Sequence, residues 1–382
     1  MIRVIFAFLL SVHGLIHVLG FVKEFGLARV DGLSGQTTLA LSDNWHKPVG
    51  LLWLAACVLF IGAAVGYLAK KEWWMMVAFA AVILSQALLI LYWQDAKFGT
   101  LANVLILAGI LLSYAHWNFQ AKVKQELELF LPKQSQETTL VTADMLSELP
   151  PVVQKWLIRS KVVGKELTQQ VYLKQLGQMR TKPDGAWMPV RAEEFFTVHN
   201  PGFFWVADVT AAPYLHLYGR DKYENGRGHM LIKLLSFFPV ANATGNQIDQ
   251  GTLLRYLGEI VWFPSAALSK YITWQQLDAT SAKATMQYGG VSASGIFTFT
   301  PEGDILRVEA DRYYDRKEGA TLEKWVVTTE DGTYKDFEGI RIPAKSQVTW
   351  KLKEGDFTWF KLEIEEVDYN PDTRPEELVL TH

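Results

Sequence analysis

The chain has 382 residues, a formal net charge of −3 and a pI near 6.3, a balance that excludes the strongly basic surface on which nucleic-acid binding rests. Its one cysteine, Cys57, excludes an intramolecular disulfide and any CxxC metal or redox pair. Charged residues make up only 20 %, mainly because residues 1 to about 120 are dominated by apolar runs.

A bilayer core of about 30 Å needs a helix of about 20 mostly apolar residues. Stretches 2–22, 49–69, 73–93 and 98–117 meet that requirement, and Trp73, Trp74, Tyr92, Trp93, Tyr114 and Trp117 stand at their ends as interfacial aromatics. The first stretch is too long for a signal-peptide core, and no small-x-small site follows closely, so it is expected to stay as a helix. In the second, Gly62, Ala63 and Gly66 offer a small face for close helix packing. Four spans put both ends of the chain on one side. Arg3, Lys70, Lys71, Lys122 and Lys124 flank the terminal side, against Lys23, Arg29, Lys47 and Lys97 on the other. The positive-inside rule thus favours, by a single residue, a cytoplasmic C-terminal half on a bacterial inner membrane.

Polar residues within the spans are few. His13 and His17 lie at i and i+4 on one helix face, and Gln86 and Asn103 fall at similar depth in the third and fourth spans. The loop residues Asp43, Asn44 and His46 lie close in sequence to the same end. Two readings stand: a small site for a ligand, proton or metal, or hydrogen bonding that holds the helices together. Haem ligation is disfavoured because His13 and His17 share one helix and His116 lies near the opposite face. Zinc on His13, His17 and His46 lacks the glutamate of an H-E-x-x-H motif, since Gly14, Leu15 and Ile16 stand between the histidines. No metal is expected.

After residue 120 the apolar run ends. The composition predicts a transmembrane domain over 1–120, a linker over 121–141 and a soluble domain over 142–382. A helix within 147–163, broken at Pro150–Pro151, presents Val152, Val153, Trp156 and Leu157 on one face. From about Leu167 the period becomes twofold, as in Val190, Ala192, Glu194 and Phe196 against Arg191, Glu193 and Phe195. Similar runs recur to the end of the chain, separated by short turn signals, which implies antiparallel neighbours. An antiparallel sheet of nine or more strands is expected to curl into an open barrel or cup. The pattern breaks over about 231–277. There LIKLLSFFPVANATG reads as a short helix ended by Pro239, and Leu253, Leu254, Leu257, Ile260 and Val261 have helical spacing. The predicted fold is therefore a four-helix transmembrane bundle followed by a soluble α+β half, a large curved antiparallel sheet with inserted helices as plug or lid.

Arg255 and Glu259 sit at i and i+4 on the inserted helix. They read either as a polar site at the mouth of the cup, with Glu259 as acid or base beside Trp262, or as a helix-surface ion pair. No nucleophile or second carboxylate is tied to Glu259 by spacing, so the chain reads as a binder before an enzyme. The cup wall is expected to include Phe196, Phe204, Trp205, Trp262 and Phe263. Phosphate-binding, dinucleotide-binding, serine-hydrolase and EF-hand motifs are absent, and no cofactor is expected.

HGLIHVLGF at 13–21, LPPVVQKWLIRSKVVG at 149–164, QIDQGTLLRYLGEIVWFP at 247–264, IRIPAKSQVTW and the late VDYN together resemble an uncharacterised family of bacterial membrane proteins, a domain of unknown function. The resemblance covers most of the chain and implies architecture rather than activity. The β half also resembles the open barrel of the periplasmic lipoprotein carriers, in which a cupped sheet shelters acyl chains. Three functions follow as expectations. The first is a membrane-anchored module that binds a lipid or other hydrophobic ligand in its cup. The second is a membrane enzyme working at Arg255 and Glu259 or at the histidines. The third is a sensor or assembly partner without a small ligand, whose protein partner the sequence does not name.

Overall fold

The computed structural model describes residues 2–30, 32–131 and 138–371. The chain forms two compact units that part between Asn118 and Phe119. Among the described residues four helices are long and apolar enough to cross a membrane: α1 (Ile2–Glu24), α2 (His46–Leu68), α3 (Trp74–Leu91) and α4 (Gly99–Phe130).

In the first unit α1 buries Ala7, Leu10, His13, Gly14 and His17, a stripe at three- and four-residue spacing, and leaves Val4, Ile5, Phe8, Leu15 and Ile16 outward. Apolar side chains on both faces suit a helix whose solvent is lipid. The close approach of α1 to α2 is made at Gly14, where a Cβ would come within 2.8 Å of the Phe60 Cβ. Gly62, expected at such a contact, has no neighbour within 4 Å, and Gly66 seats the Trp73 ring instead.

The second unit begins within α4. The helix runs through the first part of the expected linker to Phe130; residues 132–137 of that linker lie outside the described residues. It continues because Phe119, Val123, Leu127 and Phe130 are buried at helical spacing and find an apolar surface to cover. Next comes α5 (Pro151–Arg159), with proline at its first turn and Val152, Val153, Trp156 and Leu157 buried as expected.

Fifteen strands follow among the described residues: β1 (Gln170–Met179), β2 (Met188–Thr197), β3 (Gly202–Ala212), β4 (Leu215–Glu224), β5 (Arg227–Leu234), β6 (Phe238–Ala243), β7 (Ile272–Gln276), β8 (Ser281–Tyr288), β9 (Val291–Phe299), β10 (Ile305–Tyr314), β11 (Thr321–Thr329), β12 (Tyr334–Phe337), β13 (Ile340–Pro343), β14 (Lys345–Leu352) and β15 (Gly355–Tyr369). Thirteen form one antiparallel sheet in the order β6-β5-β4-β3-β2-β1-β15-β14-β11-β10-β9-β8-β7, and β12 pairs with β13 apart from it. The sheet curls into a half-barrel around α6 (Asn246–Glu259), which packs against β9, β5, β10 and β8. Its two wings touch corner to corner: a Cβ on Gly226, in the β4–β5 turn, would fall 2.4 Å from the Gly289 carbonyl oxygen in the β8–β9 turn.

The inserted region is half helix, half hairpin. LIKL belongs to β5 and FPVANA is β6, so the short helix expected there is a β-hairpin. Leu235 and Ser236 adopt positive φ at its turn, and Pro239 sits on the edge strand beside a register shift, where its missing N–H breaks no ladder. The expected helix over the next stretch forms as α6, followed by two short 3₁₀ turns, Ile260–Trp262 and Pro264–Leu268.

Strands β2 and β3 are covered on both faces. Phe196 and Phe203 point inward to α6, while Phe195, Phe204 and Val206 point outward to residues 119–131.

Candidate functional site

Pairing register places the inward residues of β1 to β5 in successive rows. Nearest the body of α6 lie Val171, Phe196, Phe203, Tyr223 and Gly228. The next row is Leu173, Glu194, Trp205, Asp221 and Met230. Beyond it come Gln175, Ala192, Ala207, Gly219 and Ile232, and then Gly177, Val190, Val209, Leu217 and Leu234, with Met179 and Met188 last.

The second row carries charge into the half-barrel, and α6 answers it. The Arg255 guanidinium donates to three carboxylates: Nη2 to Glu194 Oε1 at 2.6 Å, Nη1 to Asp221 Oδ2 at 2.9 Å and Nε to Glu259 Oε1 at 2.7 Å. The same guanidinium lies over the rings of Phe203 and Trp205, 4.5 and 5.2 Å from their centroids. Glu194 is fully shielded from solvent, and its second oxygen accepts from Gln175 Nε2 at 2.9 Å. Trp205 Nε1 donates to Gln175 Oε1 at 3.1 Å, and the far edge of its indole lies 3.4 Å from where a Gly219 Cβ would stand. The indole therefore spans the row between β1 and β4, which the small side chains of Ala192, Ala207 and Gly219 leave shallow enough to hold it.

Burial pushes the carboxyl of Glu194 well above the ordinary carboxylate range, with Arg255 opposing and Glu259 and Asp221 adding to the rise. Burial also raises Glu259 and Asp221, again against the pull of Arg255. For Arg255 burial works downward, but the three carboxylates outweigh it and its pKa rises. Arg312, on the inner face of β10, is the opposite case: burial and the like charge of Arg255 push it down to about 10. Its guanidinium lies over Trp325 at 5.2 Å, and among the described residues no hydrogen bond from it is seen. Asp221 Oδ1 and Glu259 Oε2 are buried without a hydrogen-bond donor. The cluster thus joins an arginine that donates from all three nitrogens, a second arginine with no hydrogen bond seen among the described residues, and two half-satisfied carboxylates beside Glu194.

Trp205, expected in the cup wall, and Arg255 and Glu259, expected as a polar pair at its mouth, come together here. Phe196, Trp262 and Phe263 lie in the packed core, where Phe196 meets Phe263 at 4.6 Å between centroids. Phe204 faces the other way, onto Phe130, because neighbours along a strand point to opposite faces. The helix-surface reading of Arg255 and Glu259 is replaced by a buried network, since both side chains face the sheet. Glu194, Asp221 and Arg312 were not singled out. Their signal was a charge on the apolar side of a twofold pattern, as in Val308, Ala310, Arg312, Tyr314.

In the helical unit the polar side chains form a second network. His13 Nε2 meets Asn103 Oδ1 at 2.8 Å, His17 Nε2 meets Ser85 Oγ at 2.9 Å, and His17 Nδ1 meets the His13 carbonyl at 2.7 Å. Asn103 Nδ2 donates to Ser85 Oγ and to Gln86 Oε1, both at 3.0 Å. One proton assignment serves every contact: His13 donates through Nε2, His17 donates through Nδ1 to the carbonyl, and the Ser85 hydroxyl donates to His17 Nε2. Both imidazoles are neutral in it, and the network closes on itself across α1, α3 and α4. His46 lies elsewhere, with Nδ1 on Glu24 Oε2 at 2.6 Å.

A family model described as a family of unknown function, DUF6544, matches residues 139–362. No curated protein matches the chain. Two solved structures are similar to it. One is a domain from Vibrio parahaemolyticus described as belonging to an outer membrane lipoprotein-sorting protein (8 % identity, TM-score 0.31, 54 % of this chain and 87 % of that one). The other is a DUF1329 family protein from Desulfovibrio piger (10 % identity, TM-score 0.32, 59 % of this chain and 95 % of that one). Likeness at this level says nothing of what the chain binds.

Proposed function

The chain belongs to the DUF6544 family of unknown function, and from its own geometry we propose that the mouth of the half-barrel holds an amphipathic, lipid-like molecule. One observation carries the reading: the apolar inner face continues past the plug helix and stays half-exposed. Met179, Met188, Leu217, Met230, Ile232, Leu234 and Phe360 all keep partial access to solvent there. Half-buried apolar side chains on a concave face, bordered by a few oriented polar groups, are the make-up of a ligand site. The polar end of the molecule meets the charge cluster, where Arg312 has donors to give and Asp221 and Glu259 have acceptors to fill. The apolar end lies along the outer rows. The deep aromatic core under α6 takes no part, because it is already filled by protein.

The test is identification of lipid co-purifying with the full-length protein in mild detergent, compared with Leu217→Asp and Met188→Asp. The reading requires a defined species retained by the parent protein, lost in both variants and kept in the outer-face control Lys324→Asp. Equal retention in all four proteins removes it, since lipid bound only around the transmembrane helices is indifferent to the mouth.

A further inference from the structure

Strand order places the β1–β2, β3–β4 and β5–β6 turns at one end of the sheet. Around the last two, Tyr214, Leu215, Phe237, Phe238 and Val240 are 37 to 59 % exposed. The Phe237 and Phe238 rings pack edge to face at 4.8 Å, so they are held as a pair. Clustered apolar exposure of this kind marks an interaction surface.

Residues 119–130 show what that surface meets. They lie along the outer face of β1 to β5 with Phe130 at one end, against Phe204 and Gly202. At the other end the Phe119 ring lies 5.6 Å from Lys233 Nζ, two residues before the β5–β6 turn. Phe119 in turn follows Trp117, the aromatic that ends the fourth apolar run, by two residues, about 3 Å of helix. Lys233, at the root of the β5–β6 turn, therefore neighbours a residue only two positions along the chain from the fourth apolar run. The chemistry of the exposed turns suits an interface: exposed aromatic rings and a tyrosine, with Lys233 at the root of one turn and Lys182 and Asp184 on the neighbouring β1–β2 turn.

We infer that this end of the half-barrel docks on the headgroup and upper acyl region of the bilayer that the N-terminal helices cross. The docking stands whether or not the mouth holds a ligand. It is tested on the full chain in a Cys57→Ala background, in nanodiscs of phosphatidylcholine with one-third phosphatidylglycerol. Nitroxide labels are placed through Tyr214→Cys, Phe238→Cys and, at the opposite end of the sheet, His199→Cys. The 214 and 238 labels are expected to collide several-fold more with oxygen, relative to a water-soluble nickel chelate, than the 199 label does. The same water-like ratio at all three positions overturns the inference. So does dipolar broadening between copies at 214 and 238, which would make the occupant a second chain. Loss of lipid from Leu217→Asp with the labels unchanged separates this docking from ligand binding.

Discussion

Arg255 on α6 and Glu194 on β2 meet at 2.6 Å, and the carboxylate is entirely removed from water. Removing one member of a buried pair costs more than the pair contributes, because the survivor keeps its desolvation penalty. Arg255→Met is therefore expected to destabilise the unit by about 3 to 5 kcal/mol. Adding Glu194→Gln is expected to restore part of the loss. Denaturant titration followed by tryptophan fluorescence checks both, and an additive double variant would show that the two residues are not coupled.

The same carboxylate sets a pH dependence. Glu194 holds its proton to higher pH in the folded protein than in the unfolded chain, because burial disfavours the ion more than Arg255 favours it. The folded state thus binds more protons once pH passes the ordinary carboxylate range, near 4.3. Stability from this group is full below that range and falls as pH rises toward the folded value. The Tm of the parent protein, taken relative to Glu194→Gln, is expected to decline as pH rises above the ordinary carboxylate range of about 4.3. A flat difference across that window would count against the burial argument.

Two glycines separate backbone strain from contact. Gly226 has φ +79°, and a Cβ there strikes Gly289; Gly290 has φ +80° and open space around it. Gly290→Ala is expected to cost about 1 to 2 kcal/mol for the left-handed backbone alone. Gly226→Ala adds a clash between the two wings and is expected to cost measurably more. Equal midpoints in thermal unfolding would mean that the wings do not press together at that corner.

Within the helical unit Asn103 links His13, Ser85 and Gln86. Hydrogen bonds between helices in lipid contribute about 0.6 to 2 kcal/mol. Asn103→Leu is expected to lower resistance to unfolding in sodium dodecyl sulfate by that order, with Ser85→Ala smaller. Unchanged unfolding in both would argue that the network serves something other than cohesion.

How much was legible in the chain follows the range of each interaction. Hydropathy is local, so the long apolar helices stand out directly. Twofold alternation is local too, and it marked Val190, Ala192, Glu194 and Phe196 as one face before any partner strand was known. The β5–β6 hairpin is not legible in the same way: Asn225–Gly226 signals only the β4–β5 turn before it, and Leu235 and Ser236 take the positive φ at its own turn. There an apolar run too short to show its period reads as helix.

By itself, then, the sequence determined the four long apolar helices, the antiparallel β character and the place of the plug helix, because each depends on neighbours a few residues apart. Tertiary structure alone decided which face Phe204 takes, that Phe196, Trp262 and Phe263 fill the core, and that Glu194, Asp221, Arg255, Glu259 and Arg312 share one cluster. Those charges come from β2, β4, α6 and β10. What brings them together is strand register and the curl of the sheet around one helix, and neither is written in any short stretch of the chain.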